Sequence, residues 1–177
     1  MTDAERFEAF VREYQDMVFA TAVRLLGGAV EAEDIAQTVF LRAYERFAAI
    51  DGSPTAAGWL KTVTTNLCLN HLSRYRARWQ FFSELDPAEG EGEPYETTIA
   101  SAPAADVDAA ERQERLEGAL QALPDHQRVP LVLFHFEDMS YQEIASSLGI
   151  SLAKVKSDIH RGRARLKQEL AVLDEPR

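Results

Sequence analysis

The chain holds a single cysteine, Cys68. It can therefore form no internal disulfide and no cysteine-based zinc site, a composition that suits a reducing compartment with the thiol in the core. Long apolar runs are missing as well. None approaches the roughly 18 to 20 residues needed to span a bilayer, and Met1 leads into acidic, helix-like sequence where a secretory leader would be basic and then apolar. A cytoplasmic protein without membrane insertion is expected. The patterns of catalysis are also lacking: His71, His126, His135 and His160 stand in no HExxH-like arrangement, no glycine-rich phosphate loop occurs, and no serine sits in a nucleophile elbow. No catalytic residue, metal or cofactor is expected, and the protein is not expected to be an enzyme; His135, on an apolar stretch, reads as a packed core histidine. Period-two alternation never persists long enough for a strand, so the fold class is all-α.

Positive charge is scarce overall, with 19 Lys+Arg against 29 Asp+Glu and a net charge of −10. Taken alone, that total argues against a nucleic-acid partner, but its distribution reverses the conclusion. Residues 1–82 carry 9 basic and 10 acidic residues, 83–118 carry 2 and 11, and 119–177 carry 8 and 8. Nearly all the excess lies in the middle. The flanks are balanced, with their cations bunched at Arg74, Arg76 and Arg78 and again at Lys154, Lys156, Arg161, Arg163, Arg165 and Lys167.

What is present is helical period. Phe7, Phe10, Val11, Tyr14, Val18 and Leu25 recur behind a Thr2-Asp3-Ala4-Glu5 capping box, and Gly27-Gly28 stops that helix. A second helix is predicted from near Glu31, with Glu33 and Asp34 also in its first turn and Ile35, Val39, Ala43 and Phe47 inward. After a turn at Asp51-Gly52-Ser53-Pro54, a third runs from about Thr55 to Arg78 with Trp59, Leu60, Val63 and Leu67 inward. From 83 to 110 the period lapses among prolines, glycines and acids, which reads as a flexible acidic linker between two small helical domains, 1–82 and 111–177. The second domain resumes near Glu111, restarts at Pro124, and carries Pro130 inside the following helix, where a kink or restart is expected.

The most specific local pattern runs from Ser140 to Ser157. Ser140 and Glu143 make a second capping box, Ala145 is small where another helix must pass, Gly149 ends the helix and Ser151 caps the next. Ile144, Leu148, Ile150, Val155 and Ile159 would lock the pair into a helix-turn-helix whose second helix enters a DNA major groove. Lys156, Ser157, His160 and Arg161 share one side and can face base edges, while Arg163, Arg165 and Lys167 reach phosphates. Lys154 in the first turn opposes the helix dipole unless a phosphate binds there. A helical hairpin with a merely solvated basic face is the bland alternative.

Combined with the amino-terminal block, this unit resembles the extracytoplasmic-function branch of the sigma-70 superfamily over nearly the whole chain. Three stretches carry the likeness: Glu33 to Tyr44, Trp59 to Arg78, and Leu123-Pro124-Asp125-His126-Gln127-Arg128 leading into the helix-turn-helix. The resemblance implies that Asp34, Gln37, Thr38 and Arg42 meet the clamp helices of core RNA polymerase; Thr38 departs from the acid usual at its position. It implies that Lys61, Asn66, Asn70, Arg74, Arg76 and Arg78 serve the minus-ten element. It further implies that the second domain docks on the polymerase flap and reads minus-thirty-five promoter DNA through Ser151, Lys154, Lys156, Ser157, His160, Arg161, Arg163 and Arg165.

Spacing supports the second set independently, since Thr62, Asn66, Asn70, Arg74 and Arg78 step by four along one face, amides beside cations. Weak helix formers at Thr64-Thr65-Asn66 suggest a local break that presents Asn66. The acidic linker would suit a positively charged nucleic-acid channel until a growing transcript displaces it. No sensory extension is evident, so an anti-sigma factor or other external regulator is expected. Two rivals are a stand-alone dimeric helix-turn-helix regulator and a nucleic-acid-processing enzyme with an unrecognised site.

Overall fold

A computed structural model of the chain describes residues 1–73 and 106–173. Every regular element among them is a helix, and the chain divides into two compact units, Met1–Tyr75 and Arg76–Arg177. Most of the expected linker, together with Arg74, Arg76 and Arg78, lies outside the described residues.

In the first unit, α1 (Asp3–Leu26) starts as its capping box dictates: Thr2 Oγ1 accepts the Glu5 amide at 3.2 Å and the Glu5 carboxylate accepts the Thr2 amide at 2.7 Å. The Thr2 amide and, at 3.1 Å, the Thr2 hydroxyl both donate to the Glu5 carboxylate and hold it below its usual range. Gly27, at φ 75°, closes the helix in the left-handed conformation that glycine adopts without strain. The second helix, α2 (Ala29–Glu45), begins earlier than Glu31, so Glu31 is the acid of its first turn, and Glu33 and Asp34 fall in the next. The helix then ends at Arg46, leaving Phe47 to open a separate turn, α3 (Phe47–Ile50).

Next, α4 (Ala56–Leu72) is continuous through Thr64, Thr65 and Asn66, and the expected break is not there. Thr64 is buried and its hydroxyl donates to the Leu60 carbonyl at 2.6 Å, so the weak helix former is tied back onto its own helix and packed. Tertiary burial overrides the local preference. The core joins Phe10 and Val18 of α1, Val39 and Ala43 of α2, Phe47 and Ile50 of α3, and Ala56 and Leu60 of α4; Trp59, Val63 and Leu67 pack half-buried at its edge. Each fully buried Val or Leu in it contributes roughly 1.5 to 3 kcal/mol. Rings of Phe7 and Phe10 meet Phe47 edge-on at 5.1 and 5.6 Å, the arrangement that aromatic quadrupoles favour.

The second unit contains α5 (Asp106–Gln121), α6 (Asp125–His135), α7 (Tyr141–Leu148) and α8 (Leu152–Leu173). Helix α5 starts five residues before Glu111, so residues 106–110, assigned to the linker from sequence, belong to a helix. Pro124 is the N-cap of α6. Pro130 lies buried within that helix without ending it; the lost amide removes one bond to His126, and burial among Val129, Leu131, Val132 and Leu133 keeps the helix whole. Ile144, Leu148, Val155, Ile159 and Leu166 close the core from α7 and α8. A Cβ on Gly162 would sit 3.2 Å from the Gln127 carbonyl oxygen, so α8 crosses α6 closely there.

Candidate protein and nucleic-acid surfaces

Helix α2 has two stripes. One, Ala32, Val39 and Ala43, is fully buried. The other, offset by about half a turn, is Val30, Asp34, Gln37, Leu41 and Tyr44, spaced four, three, four and three. All five are exposed, and the apolar members strongly so: Val30 at 72%, Leu41 at 68% and Tyr44 at 63%. That is a heptad-like seam facing outward, suited to receiving helices. Beside it a groove of about 780 Å³ runs between α1 and α2, its walls including Phe7, Val11, Phe19, Phe40, Leu41 and Tyr44. Asp34, Gln37 and Arg42 are exposed as a partner contact requires. Thr38 is half-buried and its hydroxyl donates to the Asp34 carbonyl at 3.0 Å, so the group standing in place of the usual acid is turned onto the helix. Because Asp34 is not in the first turn, the dipole gives no separate structural reason for an acid there. The sequence reading missed Val30, Leu41 and Tyr44; their 3/4 spacing opposite the core stripe was the available signal.

On α4, Thr62, Asn66 and Asn70 are exposed at successive i+4 positions, opposite a buried row of Ala56, Leu60, Thr64 and Cys68. Thr62 donates its hydroxyl to the Gly58 carbonyl at 2.9 Å. The two asparagines remain as exposed amides on that face, whereas Lys61, half-buried, stands three, four and seven residues before Thr64, Thr65 and Cys68 and so falls on the buried side of the helix.

Helix α8 presents the third surface. Ser140 Oγ accepts the Glu143 amide at 3.1 Å and the Glu143 carboxylate accepts the Ser140 amide at 3.2 Å, which starts α7; Gly149 at φ 67° ends it. Ser151 Oγ then accepts the Lys154 amide at 3.1 Å, so this serine starts α8. Lys156 and His160 are exposed, with Ser157 and Arg161 half-buried beside them. Arg165 and Lys167 are exposed further along, Arg165 with its Nε 3.7 Å from Glu169 Oε1.

Two members of the expected set have other engagements. Lys154 reaches Asp158 Oδ2 at 2.6 Å with side chains only 14% and 6% exposed, so its ammonium is matched inside the unit and withdrawn from the exposed face. Burial raises the Asp158 carboxyl, while Lys154, His126 and Arg161 pull it back down. Arg163 donates its Nε–H to His135 Nε2 at 3.1 Å and stacks over the Phe134 ring at 5.5 Å. His135 is half-buried, held below the usual imidazole range by burial and then by the Arg163 cation, which keeps it a neutral acceptor. The Leu123 to Arg128 stretch has a structural explanation of its own: Arg128, 3% exposed, donates to the Leu123 carbonyl at 3.1 Å and to Asp125 Oδ1 at 2.6 Å, clamping the turn from α5 into α6.

Three surfaces thus stand in one chain: an apolar helical seam, an amide face and a capped helix-turn-helix with exposed cations. The family models for Sigma-70 region 2 and Sigma-70, region 4 match residues 10–78 and 113–166. The ECF RNA polymerase sigma factor SigW of Bacillus subtilis is 31% identical over 95% of this chain and 90% of its own length. The RNA polymerase sigma-E factor of Streptomyces coelicolor is 34% identical over 98% of this chain and 91% of its own. A solved sigma factor RpoE in complex with the anti-sigma factor NepR, from Bartonella quintana, is a fainter likeness, at 22% identity and a TM-score of 0.48 over 96% of this chain and 98% of that one. The chain belongs to the extracytoplasmic-function group of the sigma-70 family of RNA polymerase sigma factors. Among the described residues no helix is long and apolar enough to cross a membrane.

Proposed function

We propose that this chain binds core RNA polymerase in the cytoplasm and directs it to particular promoters. Helix α2 supplies the polymerase contact through Asp34, Gln37 and Arg42, with Thr38 as a helix-facing member and Leu41 and Tyr44 as the apolar anchors. Asn66 and Asn70 of α4, with Lys61, pair with unstacked minus-ten bases, and Arg74, Arg76 and Arg78 hold adjacent phosphates. Lys156, Ser157, His160 and Arg161 of α8 face the edges of minus-thirty-five base pairs, while Arg163 and Arg165 hold the backbone and Ser151 sets the helix start. The acids of the segment before α5, residues 83–105, lie in the cationic nucleic-acid path of the polymerase and yield to the transcript. RNA synthesis is the polymerase's chemistry; this chain contributes recognition and strand separation, and an anti-sigma factor or similar regulator controls its access.

The observation that carries this reading is the exposed heptad-like seam of α2. An exposed apolar stripe marks a protein–protein contact; here it lies on a helix within the stretch that the Sigma-70 region 2 model matches, which favours polymerase over the self-pairing that a dimeric regulator would use it for. Reconstitution of the chain with core RNA polymerase, followed by run-off transcription on genomic fragments, tests it. Promoter-dependent transcripts are expected; tight operator binding by the chain alone with no such transcripts would replace it with the regulator reading.

A further inference from the structure

Four side chains of α8, Lys156, His160, Arg163 and Lys167, follow one another at intervals of four, three and four, so they form a single stripe along the helix. Lys156, His160 and Lys167 are exposed, and Arg163, on the edge nearest the buried Ile159 and Leu166, is half-buried. Its guanidinium is engaged by two residues of α6, one of them braced in turn from α7. His135, the last residue of α6, accepts the Nε–H through its Nε2 at 3.1 Å. Phe134 lies under the guanidinium at 5.5 Å, and its own ring is braced 4.7 Å from that of Tyr141 at the start of α7.

We infer that His135 is a positioning residue for DNA binding: its neutral imidazole, with the Phe134 ring, fixes the direction of the Arg163 guanidinium before the promoter arrives. The inference rests on the reading that Arg163 meets a minus-thirty-five phosphate. An arginine carries much rotamer freedom, and a guanidinium aimed beforehand loses less of it on binding. Nε2 can accept only if the ring proton is on Nδ1, and an arginine, which never gives up its charge, can only donate; the bond therefore fixes the tautomer as well as the guanidinium plane. Phe134 supplies a cation-π surface that tolerates sliding, and His135 the directional contact that does not.

The test uses the full chain reconstituted with core RNA polymerase and titrated against a labelled promoter fragment that this holoenzyme transcribes. His135→Phe keeps the ring volume and removes the acceptor. It is expected to weaken binding about 3- to 10-fold, the range for releasing one rotamer-rich side chain. His135→Gln, which restores an acceptor at similar reach, is expected to bind nearly as the parent does. In an Arg163→Ala background, His135→Phe is expected to add nothing. Three results overturn the inference: full affinity of His135→Phe where Arg163→Ala alone is weakened, loss in His135→Gln equal to that in His135→Phe while both stay folded by circular dichroism, or an undiminished His135→Phe effect without Arg163. Full affinity of Arg163→Ala would instead remove the phosphate reading beneath it.

Discussion

Helices α2 and α8 share one construction and differ in what they leave outside. Both bury an apolar stripe in their own unit, Val39 and Ala43 in the first and Val155, Ile159 and Leu166 in the second. The outward stripe of α2 then alternates Val30, Leu41 and Tyr44 with Asp34 and Gln37, while that of α8 carries Lys156, His160 and Lys167. An apolar seam gains by being covered with another protein's helices, and a cationic one by releasing counterions from a polyanion. The exposed chemistry therefore separates the two partners, and substitutions there should separate their effects.

The largest expected effect is on α2. Leu41→Glu places a charge in the centre of the seam and should weaken binding to core polymerase by about 30-fold or more, the threshold for an interface hot spot. Because Leu41 is exposed, helicity and melting should not change; a competition titration against core enzyme reads the first and circular dichroism the second. Arg128→Ala comes next and acts through the fold. It leaves the buried Leu123 carbonyl without its donor and should lower the stability of the second unit by roughly 1 to 3 kcal/mol, measured by denaturant unfolding. On α8, Lys156→Ala and Arg161→Ala should each lose about 1 to 3 kcal/mol of promoter affinity if they meet bases, and their salt dependence should flatten if they meet phosphates. Polymerase binding should be untouched by either.

The smallest effect concerns pH. In the folded chain the His135 proton affinity lies below its ordinary value, about 6.5 in an unfolded chain. The unfolded state therefore binds the proton more readily, so this group's contribution is whole above that value and is lost as pH falls through the folded one. Melting of the full chain should drop as the solution is acidified through this window, and His135→Gln should remove that part of the slope. An unchanged slope in the variant would assign it to other groups.

The features that could be taken from the sequence are those decided within one turn of chain. Thr2 with Glu5, Ser140 with Glu143, Gly27, Gly149 and Ser151 all cap or stop helices as their residue types require, since the partner groups lie three or four residues away. Residues 106–110 were counted with the linker, yet α5 begins at 106. Pairings between helices were not visible. Nothing local says that His135 meets Arg163, or that Arg128 is interior. Lys154 and Asp158 stand at i,i+4, so their pairing was available, but the burial that turns the lysine inward comes from packing on other helices. The α2 seam escaped for a different reason: Ile35, Val39, Ala43 and Phe47 were placed inward and Val30, Leu41 and Tyr44 were given no role of their own, because packing decides how far the other apolar residues of a helix stay uncovered.

The claim on which the account depends is that α2 and α8 engage different partners. The direct test is binding of the full chain to core RNA polymerase without DNA, comparing the parent with Leu41→Glu and with Lys156→Ala. The parent and Lys156→Ala are expected to bind alike and Leu41→Glu to fail; no binding by the parent, or equal loss in both variants, would mean that the two helices do not serve separate partners.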